Sequence, residues 1–147
     1  MPNNIFEAAG ALFLAKDTGR IMLNLRSKFT SKPHTWSFWG GMSTKDESPM
    51  EGLTRELNEE MGEIPNILKA YPLDVFHSGD GKFNYYTVLI IVENEFIPKL
   101  NKESDGYCWC RIGNWPRPLH EGAKKLLYNK DTKKNLIWAL RKIKETN

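Results

Sequence analysis

Between Gly41 and Glu63 the chain specifies a loop that closes onto an amphipathic helix, and any fold it adopts must accommodate that pair. Ser48-Pro49-Met50-Glu51 has the form of a capping box, in which the Ser48 hydroxyl accepts from the Glu51 N–H and the Glu51 carboxylate reaches back. Pro49 falls at the first helical position, where a missing N–H costs nothing, and Gly62 supplies the stop. These signals predict a helix over roughly residues 49–61. Met50, Leu53, Leu57 and Met61 recur at spacings of three and four and are its expected buried stripe.

The same helix carries Glu56, Glu59 and Glu60, also three and four apart, so their carboxylates are expected to cluster on one part of its surface. Like charges so close destabilise a helix unless something neutralises them. Hard oxygen ligands converging from one turn suit Mg²⁺, with Mn²⁺ as the alternative, and such an ion would also hold substrate phosphates. A merely solvated acidic face leaves Gly41, Glu47 and Arg55 unexplained. Seven fixed positions at these spacings arise by chance with probability on the order of 10⁻⁹ per start position.

Gly41, five residues, Glu47, seven residues, then Arg55-Glu56-Leu57-Asn58-Glu59-Glu60-Met61-Gly62-Glu63 resembles the Nudix box, the signature of hydrolases acting on nucleoside diphosphates linked to another moiety. In size and style the chain is similar to small T-even-type phage members. The resemblance extends to an approach from Arg26 to Trp36 and an element from Glu103 to Trp109. Two positions depart from the pattern. Glu63 stands where the box has a bulky aliphatic residue, with Ile64 next, and Trp39 stands where many members have proline before the paired glycines.

The resemblance implies roles residue by residue. Glu59 and Glu60 would be metal ligands, Glu56 a ligand or the base that deprotonates the attacking water, and the Gly41 carbonyl a further ligand. Arg55 would orient the glutamates and Glu47 would hold Arg55 through an ion pair. Arg26 and Lys28, before the box, would bind a substrate phosphate, with Lys32 as a helper. Glu103, on a loop ahead of a tryptophan-bearing strand, would be a further ligand or the general base; Asp80 and Asp105 are weaker candidates for that place. Pyrophosphate hydrolysis needs charge neutralised on phosphate oxygens and an activated water, both of which metal ions supply without a cysteine or serine nucleophile.

With 147 residues the chain is expected to form one domain, residues 1–147. Its 40% apolar and 27% charged content is ordinary for a globular protein, and a net charge of +3 with dispersed Lys and Arg argues against a nucleic-acid-binding tail. Met1-Pro2-Asn3-Asn4 begins no signal peptide, and the longest apolar run, Tyr85 to Val92, is too short for a membrane span. A cytoplasmic location without membrane partners is therefore expected. Cys108 and Cys110 flank Trp109 on one strand face, a spacing poor for a disulfide and lacking partner ligands for zinc. His34, His77 and His120 show no metal-ligand spacing and receive no chemical role.

Residues Phe6 to Ala15 and Arg20 to Arg26 read as a hairpin, Trp36 to Trp39 as a short aromatic strand, and Leu68 to His77 with Lys82 to Glu93 as a second hairpin around Ser78-Gly79-Asp80-Gly81. Tyr107 to Ile112 is a further strand, and helical patterning covers His120–Tyr128 and Thr132–Ile143. The sum is a mixed β-sheet with the 49–61 helix on one side and the C-terminal helices on the other, an α/β/α sandwich, which is also the fold the resemblance implies. Trp36, Trp39, Phe83, Tyr85 and Tyr86 are candidates to stack on a base.

The expected activity is Mg²⁺-dependent hydrolysis of a pyrophosphate linkage in a nucleoside diphosphate joined to another group, with ADP-ribose-like or dinucleoside polyphosphate substrates favoured by the phage-like style. The alternatives are a nucleoside triphosphate pyrophosphohydrolase, an RNA 5′-pyrophosphohydrolase and, in a different class, a catalytically inactive nucleotide-binding module. An isoprenoid diphosphate isomerase would need a reactive cysteine beside the site. The partner is a nucleotide-type small molecule, and a homodimer is an assembly that the resemblance allows.

Overall fold

The computed structural model describes residues 5–145, so the reading of the first four residues and the two ends of the expected 1–147 domain lie outside it. Strands β1 (Phe6–Ala15), β2 (Arg20–Arg26), β3 (Trp36–Ser37) and β4 (Trp39–Met42) precede helix α1 (Pro49–Met61). Strands β5 (Ile67–His77), β6 (Phe83–Val92) and β7 (Ser104–Arg111) follow, then helices α2 (Glu121–Leu127) and α3 (Lys130–Glu145). Both hairpins form where the apolar runs and Gly-containing turns place them. The aromatic segment divides into two short strands at Phe38, and β7 begins three residues before the expected Tyr107.

One mixed seven-stranded sheet organises the described residues. Strand β1 lies parallel to β6 along its whole length, from Phe6 opposite Phe83 to Ala15 opposite Val92. Its other edge is shared: Phe13 and Leu14 pair with β2, while Ala8 to Ala11 pair with β4. Strand β2 meanwhile pairs with β3 through Asn24 and Leu25, and with β7 along its length. The edges of β1 and β2 are thus each divided between two partners, with β3 and β4 at the point where they diverge.

Alternation along β1 and β6 sends side chains to two separate cores. Leu12, Leu14, Leu89 and Ile91 face α2 and α3, whereas Ala9, Ala11, Phe13, Val88 and Ile90 face α1. This is the α/β/α sandwich. Cys108 and Cys110 are free, half-buried and packed on the α2–α3 face, the opposite side of the sheet from α1. No helix among the described residues is long and apolar enough to cross a membrane.

The capping box forms as the sequence predicts: Glu51 N–H donates to Ser48 Oγ at 3.2 Å and Ser48 N–H to Glu51 Oε1 at 2.9 Å. Gly62 ends the helix at φ +71°, its N–H donating to the Asn58 carbonyl. The buried stripe differs at one position. Leu53, Leu57 and Met61 are buried, but Met50 is 46% exposed. The first turn of α1 rests on the preceding loop instead of the sheet, with Ser43 so near that a Cβ on Gly52 would lie 2.6 Å from its Oγ. Glu63, exposed, does not supply the apolar contact expected after Gly62; Ile64 packs on the α1-side core in its place. Trp39 is fully buried in that core, which removes it from the base-stacking candidates.

Candidate active site

Glu60 follows Leu57 by three residues and Leu53 by seven, a spacing that puts its side chain toward the buried stripe. It is 3% exposed, inside the protein and not on the helix surface as its charge suggests. The Gly40 N–H donates to both its carboxylate oxygens, at 3.0 and 3.2 Å. Burial pushes the Glu60 carboxyl up to about 8, with the Glu56 and Glu103 charges adding to the rise and Gly40 and Arg26 opposing it. Glu59 lies two residues from Leu57, about 200° round the helix, and points away from the core. Its side chain is 56% exposed and reaches Arg55 Nη1 at 3.3 Å.

One oxygen from each of Glu56, Glu60 and Glu103 lies within 4.8 Å of the others. Two full negative charges at that distance repel by roughly 3 kcal/mol at an effective dielectric of about 20, and a buried carboxylate carries a further desolvation cost. The Gly40 N–H on Glu60 and one Arg55 contact on Glu56 offset only part of this. Three hard oxygens converging on one point fit a divalent cation, as the donor set of Mg²⁺ or Mn²⁺ requires.

The paired glycines make room for the cluster. Gly40 adopts φ +134°, and a Cβ there would fall 2.1 Å from the Ala9 carbonyl oxygen across the β1–β4 pair. Gly41 backs directly onto Glu56, where a Cβ would lie 2.8 Å from the carboxylate carbon. Arg55 is the brace. It forms a two-pronged pair with Glu47, Nε to Oε2 at 2.8 Å and Nη2 to Oε1 at 3.0 Å, and also donates to Glu56 Oε1 and the Met42 carbonyl. That pairing, with the Thr44 N–H, lowers the Glu47 carboxyl to about 2, and the hydrogen bonds Arg55 donates to Glu47 and Glu56 raise the pKa of its guanidinium.

Glu103 comes to the cluster on a loop that packs on the α1 side of the sheet and is tied at three points. Ser27 N–H donates to the Glu103 carbonyl at 2.9 Å, Ser27 Oγ to the Lys102 carbonyl at 2.6 Å, and Glu103 N–H to Asn101 Oδ1 at 2.9 Å. Asn101 Nδ2 in turn donates to the Glu59 carbonyl at 2.9 Å, joining this loop to α1. The other acidic candidates stay out. Asp80 caps its own turn through Ser78 Oγ and the Lys82 N–H, and Asp105 is exposed, 3.9 Å from His34.

Of the basic candidates, Arg26 acts on the cluster through its charge, and Lys28 lies against an aromatic ring. The Arg26 guanidinium is anchored on Ser31, Nε to the carbonyl at 2.7 Å and Nη2 to Oγ at 3.0 Å, and its charge acts on Glu60, Tyr85 and His120. The Lys28 ammonium instead sits 5.2 Å from the centre of the exposed Phe29 ring. Tyr85 packs so tightly over Gly10 that a Cβ there would meet its hydroxyl, and burial raises its pKa, with Glu60 adding to the rise. Asn101, Tyr85's contact with Gly10 and His120 were not assigned roles from the sequence. For Asn101 a signal exists, since an Asn two residues before Glu103 can cap that backbone with its side chain.

Comparison with known proteins agrees with this geometry. A family model described as NUDIX domain matches residues 5–129. A nucleoside triphosphate pyrophosphatase/Nudix hydrolase fusion protein of Bifidobacterium longum is 28% identical over 117 residues, covering 74% of this chain and 24% of that protein, so the chain spans about a quarter of that relative's length. Among solved structures, the Nudix hydrolase RenU of M. smegmatis matches with a TM-score of 0.67 at 16% identity, covering 96% of this chain and 88% of that one. A MutT NUDIX hydrolase from Burkholderia pseudomallei matches at 0.63 and 20% identity, covering 82% and 94%. At these identities the structural likeness shows the fold.

Proposed function

The chain belongs to the NUDIX family, and from that premise we propose that it hydrolyses the pyrophosphate linkage of a nucleoside diphosphate derivative, with Mg²⁺ as its natural ion. The observation that carries this reading is the convergence of Glu56, Glu60 and Glu103 beside the Arg55–Glu47 brace.

In this reading Glu56 and Glu60 would hold the metal, together with the Gly41 carbonyl. A divalent ion held there would neutralise phosphate oxygens and lower the pKa of a bound water. The Gly40 N–H fixes the Glu60 carboxylate, and Arg55 fixes Glu56 while engaging Glu59. Held from two sides, the ligands lose little freedom when substrate arrives, which is how a positioned site lowers a barrier. Arg26 takes a phosphate oxygen of the substrate. Water adds its oxygen to one phosphorus as the bridging oxygen departs with the other phosphate. Glu103, the exposed member of the three, accepts the water's proton and passes it to solvent.

ADP-ribose-like and dinucleoside polyphosphate compounds are the favoured substrates, ahead of nucleoside triphosphates and RNA 5′ ends. An inactive binding module is the weaker reading, because Arg55 and all the box glutamates are present. The test is hydrolysis of a panel spanning ADP-ribose, NADH, diadenosine polyphosphates, nucleotide sugars, nucleoside triphosphates and 5′-triphosphate RNA, with Mg²⁺ and with EDTA. Metal-dependent cleavage of one class supports the hydrolase and names its substrate. Binding without cleavage of any, under Mg²⁺ or Mn²⁺, overturns it in favour of the module.

A further inference from the structure

His120 comes to the site from a segment far from the box. Trp36 N–H donates to the Pro118 carbonyl at 2.9 Å, His120 N–H donates to the Trp36 carbonyl at 2.8 Å, and Leu119 bridges Trp36 in parallel. On the other side of the same strand start, Arg26 N–H donates to the Thr35 carbonyl at 2.9 Å. The end of β2, the start of β3 and the residue preceding α2 are thereby drawn together. Arg26 is common to both groups beyond: its charge acts on Glu60 in the carboxylate cluster and on His120.

The ring's tautomer follows from one hydrogen bond. Nδ1 of His120 accepts the Gly122 N–H at 3.1 Å, so in the neutral ring the proton resides on Nε2. Burial, then the Arg26 and Lys32 charges, lower the His120 pKa, with only the adjacent Glu121 acting the other way. Nε2–H has no protein acceptor among the described residues, and neither has Lys32 Nζ. Arg26 spends Nε and Nη2 on Ser31 and keeps Nη1 free. Three side-chain donors, two of them cationic, therefore have no carboxylate hydrogen-bonded to them among the described residues, and the backbone ladder through Trp36 brings their segments together while the Arg26 charge acts on both His120 and Glu60.

We propose that His120, with Arg26 and Lys32, receives a phosphate of the substrate lying outside the pair held at the carboxylate cluster. The site then favours substrates with three or more phosphates in a row over diphosphate-linked ones such as ADP-ribose. This rests on the hydrolase reading and chooses between its two favoured substrate classes. The receptor is built from side chains, and the first-turn N–H of Gly122 serves to hold the ring.

His120→Asp and His120→Asn separate substrate binding from helix capping, because Asp and Asn both cap well while only Asn keeps a donor. A hydrogen bond to a charged group corresponds to about tenfold or more in affinity. For His120→Asp, kcat/KM for diadenosine tetraphosphate should fall about tenfold further than that for ADP-ribose, through KM, and His120→Asn should recover part of the loss. Lys32→Ala should shift the same ratio in the same direction. Equal losses on both substrates, or equal behaviour of the Asp and Asn variants, would overturn the proposal. A parallel measurement is binding of inorganic tripolyphosphate and pyrophosphate in Ca²⁺. If no substrate is cleaved yet His120→Asp weakens tripolyphosphate selectively, the hydrolase reading fails and the phosphate site stands. If cleavage proceeds and tripolyphosphate binding is unmoved, the reverse holds.

Discussion

The Asn101 side-chain amide donates to the Glu59 main-chain carbonyl at 2.9 Å while its oxygen accepts the Glu103 N–H at the same distance. One side chain thus ties the last turn of α1 to the loop that brings a third carboxylate to the cluster. Without it, Glu103 keeps the two contacts from Ser27, and the loop meets α1 through the Lys99 N–H on the Met61 carbonyl.

Asn101→Ala should therefore act on Glu103 placement more than on the fold. Two neutral hydrogen bonds lost at an exposed loop cost about 1–2 kcal/mol of stability. Turnover should fall by roughly tenfold, approaching but not exceeding the loss in Glu103→Gln, in line with the cost of misplacing a supporting group. Steady-state kinetics of both single variants and the double variant give the check. Additive losses would mean Asn101 does not act through Glu103.

The three box glutamates should not be equivalent. Glu56→Gln and Glu60→Gln remove carboxylates from the cluster and should lower turnover by about a hundredfold or more, the scale of several kcal/mol of charge stabilisation. Glu59→Gln alters a side chain that contacts Arg55 and should cost less, about tenfold. Calorimetric titration with Mn²⁺ should rank metal affinity in the same order, and a Glu59 variant as damaged as the Glu60 variant would contradict the geometry.

Metal and pH should be linked through Glu60. In the metal-free protein its carboxyl is raised to about 8, above its unfolded value, so the native state holds a proton there that the unfolded state releases. The resulting stability is fully present below about pH 4 and is lost as pH rises through about 8. Metal binding needs the ionised form, so affinity should climb over the same interval. Thermal unfolding from pH 5 to 9, with EDTA and with Mg²⁺, should show a metal-free decline that Mg²⁺ offsets and that Glu60→Gln removes. An identical pH profile in that variant would count against Glu60 as the source.

Gly40→Ala should be among the most damaging single changes in the chain. It combines a φ of +134° with a Cβ 2.1 Å from backbone, neither of which a side-chain adjustment relieves. A loss of at least about 3 kcal/mol is expected, read by denaturant unfolding. Gly79, with nothing within 4 Å of a Cβ, is the matched control and should tolerate alanine.

Much of this was legible before any coordinates. The capping box, Pro49 and Gly62 mark α1 within its observed bounds, because caps are local chemistry among residues a few positions apart. The order of strands and helices likewise placed α1 and the C-terminal helices on opposite sides of one mixed sheet. Met50 and Glu60 differ from their expected environments: Ser43 lies against the first turn of α1 at Gly52, while helical spacing turns Glu60 toward the stripe and β4 offers it a backbone donor that the spacing does not foretell. Ile64 replacing Glu63 in the core is a shift of one residue past the helix end, where chain direction and not helical period governs which side chain turns inward.

By itself, then, the sequence determined the loop and helix that carry the acidic residues and the layered α/β/α architecture, while the brace between Arg55 and Glu47 came from the family resemblance. The first two depend on spacings within one element or on the period of a strand or helix. Only the tertiary structure decided that Glu103 joins Glu56 and Glu60, that Asn101 ties its loop to Glu59, and that the His120 segment meets Trp36 beside the end of β2. Those pairings link residues tens of positions apart, and they are set by how β1 and β2 divide their edges between neighbours, a register that arises when the whole sheet assembles.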